Sequence, residues 1–351
     1  MGGCIGVPAN HLVLIMKKDA LRSQIITEPT RNMALELVRV TEAAALSAGR
    51  FMGRGDKNAA DHAAVEAMRL VLNTIFMNAI IVIGEGEKDH APMLFNGERV
   101  GNGKGPEMDI AVDPIDGTRP LANGTWSALS TVALAPRGTM FDPGPFLYMD
   151  KIAVGPQAKG KVDINAPVKH NLAAIAKAGG KSIEDVTVVI LDRPRHEQLI
   201  KEVRLAGARI RLIPDGDVAA ALMTAWHDSG IDALLGVGGT PEGVLSACAL
   251  RAMGGEIQGK LFARNDDELR RGREMGYNFE KTLTMTDLVS SEDVFFAATG
   301  VTDGEFLDGV KYFGTGARTD SLVVRGQTGT VRQIIATHRW DKLNQFSAIK
   351  Y

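Results

Sequence analysis

The stretch Ile110-Ala111-Val112-Asp113-Pro114-Ile115-Asp116-Gly117-Thr118 constrains this chain more than any other. A short apolar run ends in an acid, is interrupted by proline, and continues into acid, glycine and threonine. It reads as a buried strand delivering two carboxylates and a hydroxyl to one mouth. Asp113 stands at the strand's carboxyl end, where open α/β sheets usually place their ligands. Pro114 is expected to stop the strand's ladder, and Gly117 to let the backbone turn tightly. With the chain reversing between them, Asp113 and Asp116 can converge on one hard cation. The same residue types also build ordinary turns, so the stretch alone reads equally as a turn or as a metal site.

A chain of 351 residues can bury a large core, as two lobes or one layered domain. Its formal charge of −2, with 23% charged and 45% hydrophobic residues, leaves no basic stripe and argues against a nucleic-acid partner. No apolar run reaches the length of a membrane span, and the apolar segment His11 to Met16 is too short for a signal core. Met1 to Gly6 opens like a myristoylation site but carries Gly6 where Ser or Thr is required. Cys4 and Cys248 form no ligand-like pair and suit a reducing compartment. The expectation is a cytoplasmic protein with no membrane or nucleic-acid partner.

Residues 1–28 look like an appended extension without clear periodicity. A helix is predicted over 31–52, capped by Thr30, with Met33, Leu37, Val40 and Ala44 on one face. A second is predicted over 60–78. Asp61 then falls in its first turn, where the helix dipole favours an acid, and by itself reads more readily as a cap than as a ligand. Residues 79–83 form a β-branched strand running into Gly84-Glu85-Gly86-Glu87, where no helical sequence follows for the acids to cap. Further strands are predicted at 128–135 and 151–154, with 155–161 as a link between lobes. From there strands at 186–191, 209–213 and 232–237 alternate with helices at 195–205, 218–226 and 242–253. That cadence predicts a parallel or mixed sheet covered by helices. A strand at 295–299 and a hairpin of 321–325 with 330–337 close the chain.

The later strand ends again carry polar chemistry: Asp192-Arg193-Pro194-Arg195, Asp215-Gly216-Asp217 and Gly236-Val237-Gly238-Gly239-Thr240-Pro241-Glu242-Gly243. Asp215 and Asp217 each read more readily as helix caps. Arg193 and Arg195 read about equally as a solvated helix start or as a bidentate phosphate clamp. The glycine run lacks the dinucleotide fingerprint, because Pro241 stands where glycine is required, but a glycine-rich turn into a helix can cradle an anion. No P-loop, zinc site or Ser-His-Asp triad is supported. Taken jointly, Asp61, Glu85, Asp113, Asp116 and Glu242 form an all-oxygen set suited to Mg²⁺ or Mn²⁺, the chemistry that serves phosphoryl transfer.

Val112 to Thr118, with Glu85 upstream, resembles the Asp-Pro-Ile/Leu-Asp-Gly-Thr signature of the lithium-sensitive, metal-dependent sugar and inositol phosphatases. From about residue 31 to the end, the chain is most similar to the class II (GlpX-type) fructose-1,6-bisphosphatases. The likeness rests on Gly53-Arg54-Gly55-Asp56-Lys57, Val82 to Glu87, Ala91-Pro92-Met93-Leu94, Asp113 to Arg119, Tyr148-Met149-x-Lys151, Arg193 to His196, Pro214 to Ala219 and Gly238 to Gly243. The resemblance implies an α/β protein with a layered α/β/α/β/α sugar-phosphatase fold in two lobes. Residues 29–160 would be the metal and phosphatase lobe, and 161–351 the sugar-phosphate-binding lobe with C-terminal strands. It implies hydrolysis of the 1-phosphate of fructose 1,6-bisphosphate in gluconeogenesis, with Mn²⁺ or Mg²⁺ on Asp61, Glu85, Asp113, Asp116 and Glu242. Thr118 would orient or supply the attacking oxygen, beside Asp116 and Gly117, and Lys57 would assist charge neutralisation. Tyr148, Arg193, Pro194, Arg195, Asp215, Gly216, Asp217 and Gly239 would bind the sugar and its distal phosphate. A homo-oligomer, dimer or tetramer, is the default for such enzymes. Some members carry Glu at the position of Asp116, and residues 1–28 have no counterpart. The alternatives are dual use of sedoheptulose 1,7-bisphosphate, an inositol monophosphatase-like enzyme, and a non-catalytic sugar-phosphate sensor.

Overall fold

The computed structural model describes residues 32–85, 93–347 and 349. The expected extension 1–28, Cys4, and the motif residues Gly86, Glu87, Ala91 and Pro92 lie outside them. The chain divides into two compact units, Met1–Met33 and Ala34–Tyr351, and every element below belongs to the second. Among the described residues no helix is long and apolar enough to cross a membrane.

Two sheets carry the fold. In the first, β1 (Asn78–Ile83), β2 (Arg99–Val100), β3 (Glu107–Asp116) and β4 (Leu129–Pro136) lie side by side in the order β2-β1-β3-β4. In the second, β5 (Tyr148–Val154), β6 (Thr187–Leu191), β7 (Arg209–Ile213), β8 (Ala233–Gly239) and β9 (Glu256–Leu261) take the order β7-β6-β8-β5-β9. There β6 runs parallel to β7 and β8, while β5 is antiparallel to β8 and β9, so the sheet is mixed as the strand–helix cadence predicts. The chain then returns to the first sheet through β10 (Phe295–Gly300), β11 (Lys311–Phe313), β12 (Gly316–Arg325) and β13 (Thr330–Arg339). Sheet membership thus differs from a division at residue 160: β5 precedes that point yet pairs in the second sheet, and β10 to β13 follow it yet pair in the first.

Helices fill three layers around these sheets. Helices α1 (Ala34–Ala48) and α2 (Lys57–Leu72) pack together, and α1 lies on β4, β10 and β12. Its run Ala43-Ala44-Ala45 is wholly buried, because small side chains let a helix sit close to a sheet. After the short α3 (Thr118–Asn123) comes the outer pair α4 (Val168–Ala178) and α5 (Glu197–Leu205), which bury Leu172, Ile175, Ile200 and Val203 against Val188 and Ile190 of the second sheet. Between the sheets lie α6 (Val218–Met223) and α7 (Thr240–Met253). Val244, Leu245, Ala247, Cys248, Ala249 and Leu250 of α7 are all buried, the pattern of a helix enclosed on every side. The order is therefore α/β/α/β/α, with the main core between the two sheets.

Two local expectations need correction. Pro114 does not end β3, which runs on to Asp116. Asp113 pairs with Thr131 and Asp116 with Leu129, so three steps on β3 oppose two on β4. A bulge tolerates proline because its residue needs no ladder bond. Helix α2 begins at Lys57 rather than Ala60, and its cap is Asp56, whose carboxylate accepts the Ala59 N–H at 2.9 Å. Asp61 therefore lies beyond the first turn and is not the capping acid.

Candidate active site

The bulge decides where the signature acids point. Residues three apart on a regular strand face opposite sides of the sheet. The one extra residue between Asp113 and Asp116 cancels that alternation, and both acids line a single cavity of about 570 Å³. Asp113 is pinned by the Ile115 N–H, which donates to its Oδ1 at 3.1 Å, and Thr118 Oγ1 donates to Ile115 O at 3.2 Å. Asp116 reaches across the layers: its Oδ2 accepts the N–H of Val218 at 3.2 Å, at the start of α6.

The same cavity gathers nearly all of the residues expected from sequence. Lys57 and Asp61 come from α2, Glu85 from the end of β1, and Asp116, Gly117 and Thr118 from the β3–α3 junction. Tyr148 opens β5, Arg193 and Arg195 follow β6, Asp215, Gly216 and Asp217 lie between β7 and α6, and Gly239 and Glu242 join β8 to α7. Pro194 starts the short 3₁₀ turn Pro194–His196 and does not line the cavity; its place is to fix the turn between the two arginines.

Neither Asp215 nor Asp217 caps a helix. Asp215 Oδ1 pairs with Arg193 at 3.1 Å. Asp217 occupies the N-cap position of α6 but makes no cap bond, and its Oδ2 instead meets the buried Lys151 ammonium at 2.7 Å. Arg195 is exposed, in the 3₁₀ turn that leads into α5, but it is anchored there. It donates twice to Val237 O, at 3.1 and 2.7 Å, and its guanidinium lies 5.5 Å from the Tyr148 ring centroid. His196, beside it, brackets β6 to β8. The Val237 N–H donates to its Nε2 at 2.8 Å, so the ring proton is on Nδ1, which donates to Leu191 O at 2.7 Å. Burial lowers its pKa, and the ring stays neutral.

The glycine run from Gly236 to Gly243 makes room for side chains. A Cβ at Gly236 would stand 2.9 Å from His196 Nε2, and one at Gly238 would strike the Asp217 carboxylate. A Cβ at Gly239 would overlap the Glu242 carboxylate, and one at Gly243 would press on Met149 and Lys151. Substitution of Gly216 is opposed twice: its φ is +73°, and a Cβ would sit 3.3 Å from both Asp116 oxygens.

Sequence reasoning missed Arg264, Arg119 and Asn58, which also line the cavity. Arg264 follows β9 and faces Tyr148 at 5.7 Å from its ring centroid, opposite in sequence to Arg195 but on the same ring. Glu268 holds it through Nε at 3.2 Å. The signal was the strand Glu256–Leu261, whose strict alternation of buried and half-buried residues places Arg264 just past another strand end.

Electrostatics sharpen the picture. Burial first, then Asp116, Glu85, Glu242 and Asp61, push Asp113 well above the ordinary carboxylate range. Asp116 is raised by burial and then by Asp217, Glu242 and Asp215, while the Val218 N–H pulls the other way. Among the described residues no three carboxylate, histidine or cysteine side chains stand as a ready-made ion cage. The donors are nonetheless all oxygen and converge on one space, and a hard divalent cation is the group such a set fits.

A wall of carboxylates repels a phosphate unless a cation intervenes, whereas the arginines of the opposite wall attract one directly. An α/β scaffold that sets those walls about one cavity defines a metal-dependent phosphatase of small, multiply charged molecules. The chain belongs to the GlpX-type family of class II fructose-1,6-bisphosphatases: residues 31–338 match the family described as bacterial fructose-1,6-bisphosphatase, glpX-encoded. The fructose-1,6-bisphosphatase 1 class 2 of Escherichia coli strain K12 is 46% identical over 325 residues, covering 89% of this chain and 96% of that protein. The class 2 enzyme of Shigella flexneri matches with the same identity and coverage. A solved structure described as an extragenic suppressor from Pyrococcus furiosus gives a TM-score of 0.27 at 15% identity, over 54% of this chain and 68% of its own. That likeness is too slight to bear on the fold.

Proposed function

We propose that this chain hydrolyses the 1-phosphate of fructose 1,6-bisphosphate to fructose 6-phosphate and phosphate in gluconeogenesis. The observation that carries this reading is the cavity itself, with Asp61 of α2, Glu85 after β1, and Asp113 and Asp116 of β3 on one side, and Arg193, Arg195 and Arg264, which follow strands of the second sheet, on the other beside Asp215, Asp217 and Glu242. A substrate with a phosphate at each end satisfies both sides. Asp61, Glu85, Asp113, Asp116 and Glu242 would hold Mn²⁺ or Mg²⁺, which supplies positive charge to the phosphoryl oxygens in flight and acidifies the attacking water.

The chain's own residues do the rest. Arg195, fixed by Val237 O, and Arg193, fixed by Asp215, bind the distal phosphate, and Tyr148 lies against the sugar. Thr118 donates its proton to Ile115 O, which leaves its lone pairs to orient the attacking water at the scissile phosphate beside Gly117. Lys57, at the head of α2, adds charge near the same phosphate. In this reading 29–160 supplies most of the chemistry, joined by Glu242, and 161–351, joined by Tyr148, chooses the sugar, with its C-terminal strands completing the first sheet. The enzyme works in the cytoplasm as a homo-oligomer.

Phosphate release from a panel of sugar and inositol phosphates, with Mn²⁺, with Mg²⁺ and with EDTA, tests the proposal. Fructose 1,6-bisphosphate is expected to be cleaved fastest, with EDTA abolishing release. Preference for sedoheptulose 1,7-bisphosphate or an inositol monophosphate would overturn the substrate, and undiminished release in EDTA would overturn the ion.

A further inference from the structure

Lys151 is among the largest fully buried side chains of the described residues, with 1% of its side chain exposed. Such burial of an ammonium is tolerated only with strong partners. Its Nζ meets Asp217 Oδ2 at 2.7 Å and donates to Gly239 O at 2.9 Å. Asp217 is itself 4% exposed at its side chain, and its other oxygen, Oδ1, has no hydrogen-bond partner. The ammonium is therefore the counter-charge on which that carboxylate depends.

Glycines keep the lane of this side chain open. On β5, Lys151 pairs with Gly236 of β8 and Gly259 of β9. A Cβ at Gly238 would stand 2.8 Å from Nζ and 3.0 Å from Cε, and one at Gly243 would stand 3.3 Å from Cδ. The two groups that the ammonium joins belong to different segments that line the cavity. Asp217 ends the segment Asp215-Gly216-Asp217 before α6, and Gly239 precedes α7, whose first turn carries Glu242.

We infer that Lys151 is a positioning residue for this reaction: from beneath the cavity it locks the Asp215–Asp217 segment to the start of α7 through Asp217 and Gly239. It touches no substrate and acts through those two groups. The inference rests on the functional reading above, since it assigns the Asp215–Asp217 segment and Gly239 to the sugar-binding wall. Loss of the ammonium leaves Asp217 buried and without its counter-charge, so the segment must shift to reach water. Binding that is common to the ground and transition states then falls, and KM rises more than kcat drops.

The test compares wild type, Lys151→Met, Asp217→Asn and the double variant by steady-state kinetics and thermal unfolding. Lys151→Met is expected to raise KM for fructose 1,6-bisphosphate about tenfold or more while kcat stays within about threefold. The double variant is expected to match Asp217→Asn in KM within about threefold, because coupled residues are not additive. A folded Lys151→Met with KM within twofold of wild type overturns the inference, as does a double variant whose KM increase is the product of the two single increases. A lower unfolding temperature with unmoved KM marks a merely structural lysine and also overturns it. If Lys151→Met does not fold, the comparison of Asp217→Asn with the double variant decides, agreement supporting the inference and a larger gap overturning it. Wild type that releases no phosphate from fructose 1,6-bisphosphate is a failure of the functional reading instead, and the same four proteins are then compared on whichever sugar phosphate of the panel is cleaved.

Discussion

Asp116 Oδ2 accepts the Val218 N–H at 3.2 Å, so one acid of the first sheet also holds the start of α6 in the middle layer. Charge and hydrogen bond are separable there. Asparagine keeps an oxygen acceptor and loses the charge, whereas alanine loses both and leaves a buried N–H unsatisfied, at a cost of about 1–3 kcal/mol. Asp116→Ala is expected to unfold at lower temperature than wild type, and Asp116→Asn to stay near it, because removing a repelled buried carboxylate offsets the weaker acceptor. Both should lose most turnover, as should Asp113→Asn. Calorimetry beside a phosphate-release assay checks this. An asparagine variant as unstable as the alanine one would show that the charge, not the bond, holds α6.

Arg195 and Arg264 both face the Tyr148 ring, at 5.5 and 5.7 Å, but their anchors differ. Arg195 is fixed to backbone at Val237 O, and Arg264 to the side chain of Glu268. Arg195→Ala should raise KM by about tenfold or more with a smaller loss in kcat, the signature of binding shared by ground and transition states. Arg264→Ala should act in the same direction with smaller effect, and Glu268→Gln should reproduce part of it by freeing the guanidinium. Unchanged KM in Arg264→Ala would remove that residue from the distal-phosphate wall.

Gly239 offers a test that leaves every charged group in place. Alanine there drives its methyl into the Glu242 carboxylate, the far end of a flexible side chain, so the fold can give where the site cannot. Gly239→Ala is expected to keep an unfolding temperature within a few degrees of wild type while turnover falls at least about tenfold. Equal loss of stability and activity would point to the backbone of β8 instead of Glu242.

Much of this arrangement is legible in local sequence. The β-branched runs of β1 and β6 and the spacing of Leu37, Val40 and Ala44 in α1 declare themselves, because burial on a sheet or helix face imposes periods of 2 and 3.6. The acids at the strand ends were legible for the same reason, since a strand shows where it stops. Contacts between distant elements were not. Nothing near Asp113 announces that β4 is one residue shorter across the bulge, and that offset is what turns Asp116 to the same side. Lys151 in the apolar strand β5 reads as an ordinary charged residue until Asp217, 66 positions later in sequence, is brought against it. The glycines after Gly236 suggested an anion cradle, yet the groups they accommodate are His196, Asp217, Lys151 and Glu242. Arg264 escaped because Gly259 stands on the buried face of β9 between Ile257 and Leu261, where an apolar residue would have completed the alternation.

Away from the cavity, Glu42 of α1 gives the protein a stability that depends on pH. Burial raises its pKa from 4.5 to about 7, against the Thr319 hydroxyl, which donates to Oε1 at 3.2 Å, and the positive charge of Arg39. His338 faces it from β13, with Nε2 at 3.8 Å from Oε1, and burial keeps that ring's pKa low. The folded state thus holds a proton on Glu42 that the unfolded chain releases above about 4.5. The stabilisation is complete below the unfolded value and is lost as pH rises through about 7. At about 1.4 kcal/mol per pH unit the loss is on the order of 3 kcal/mol. Glu42→Gln fixes the neutral form, and His338 titrates in both proteins, so their difference isolates Glu42. The variant should match wild type at about pH 4 and be the more stable of the two at pH 8, as read from urea or thermal unfolding. A difference that shrinks as pH rises would mean that Glu42 is ionised in the fold.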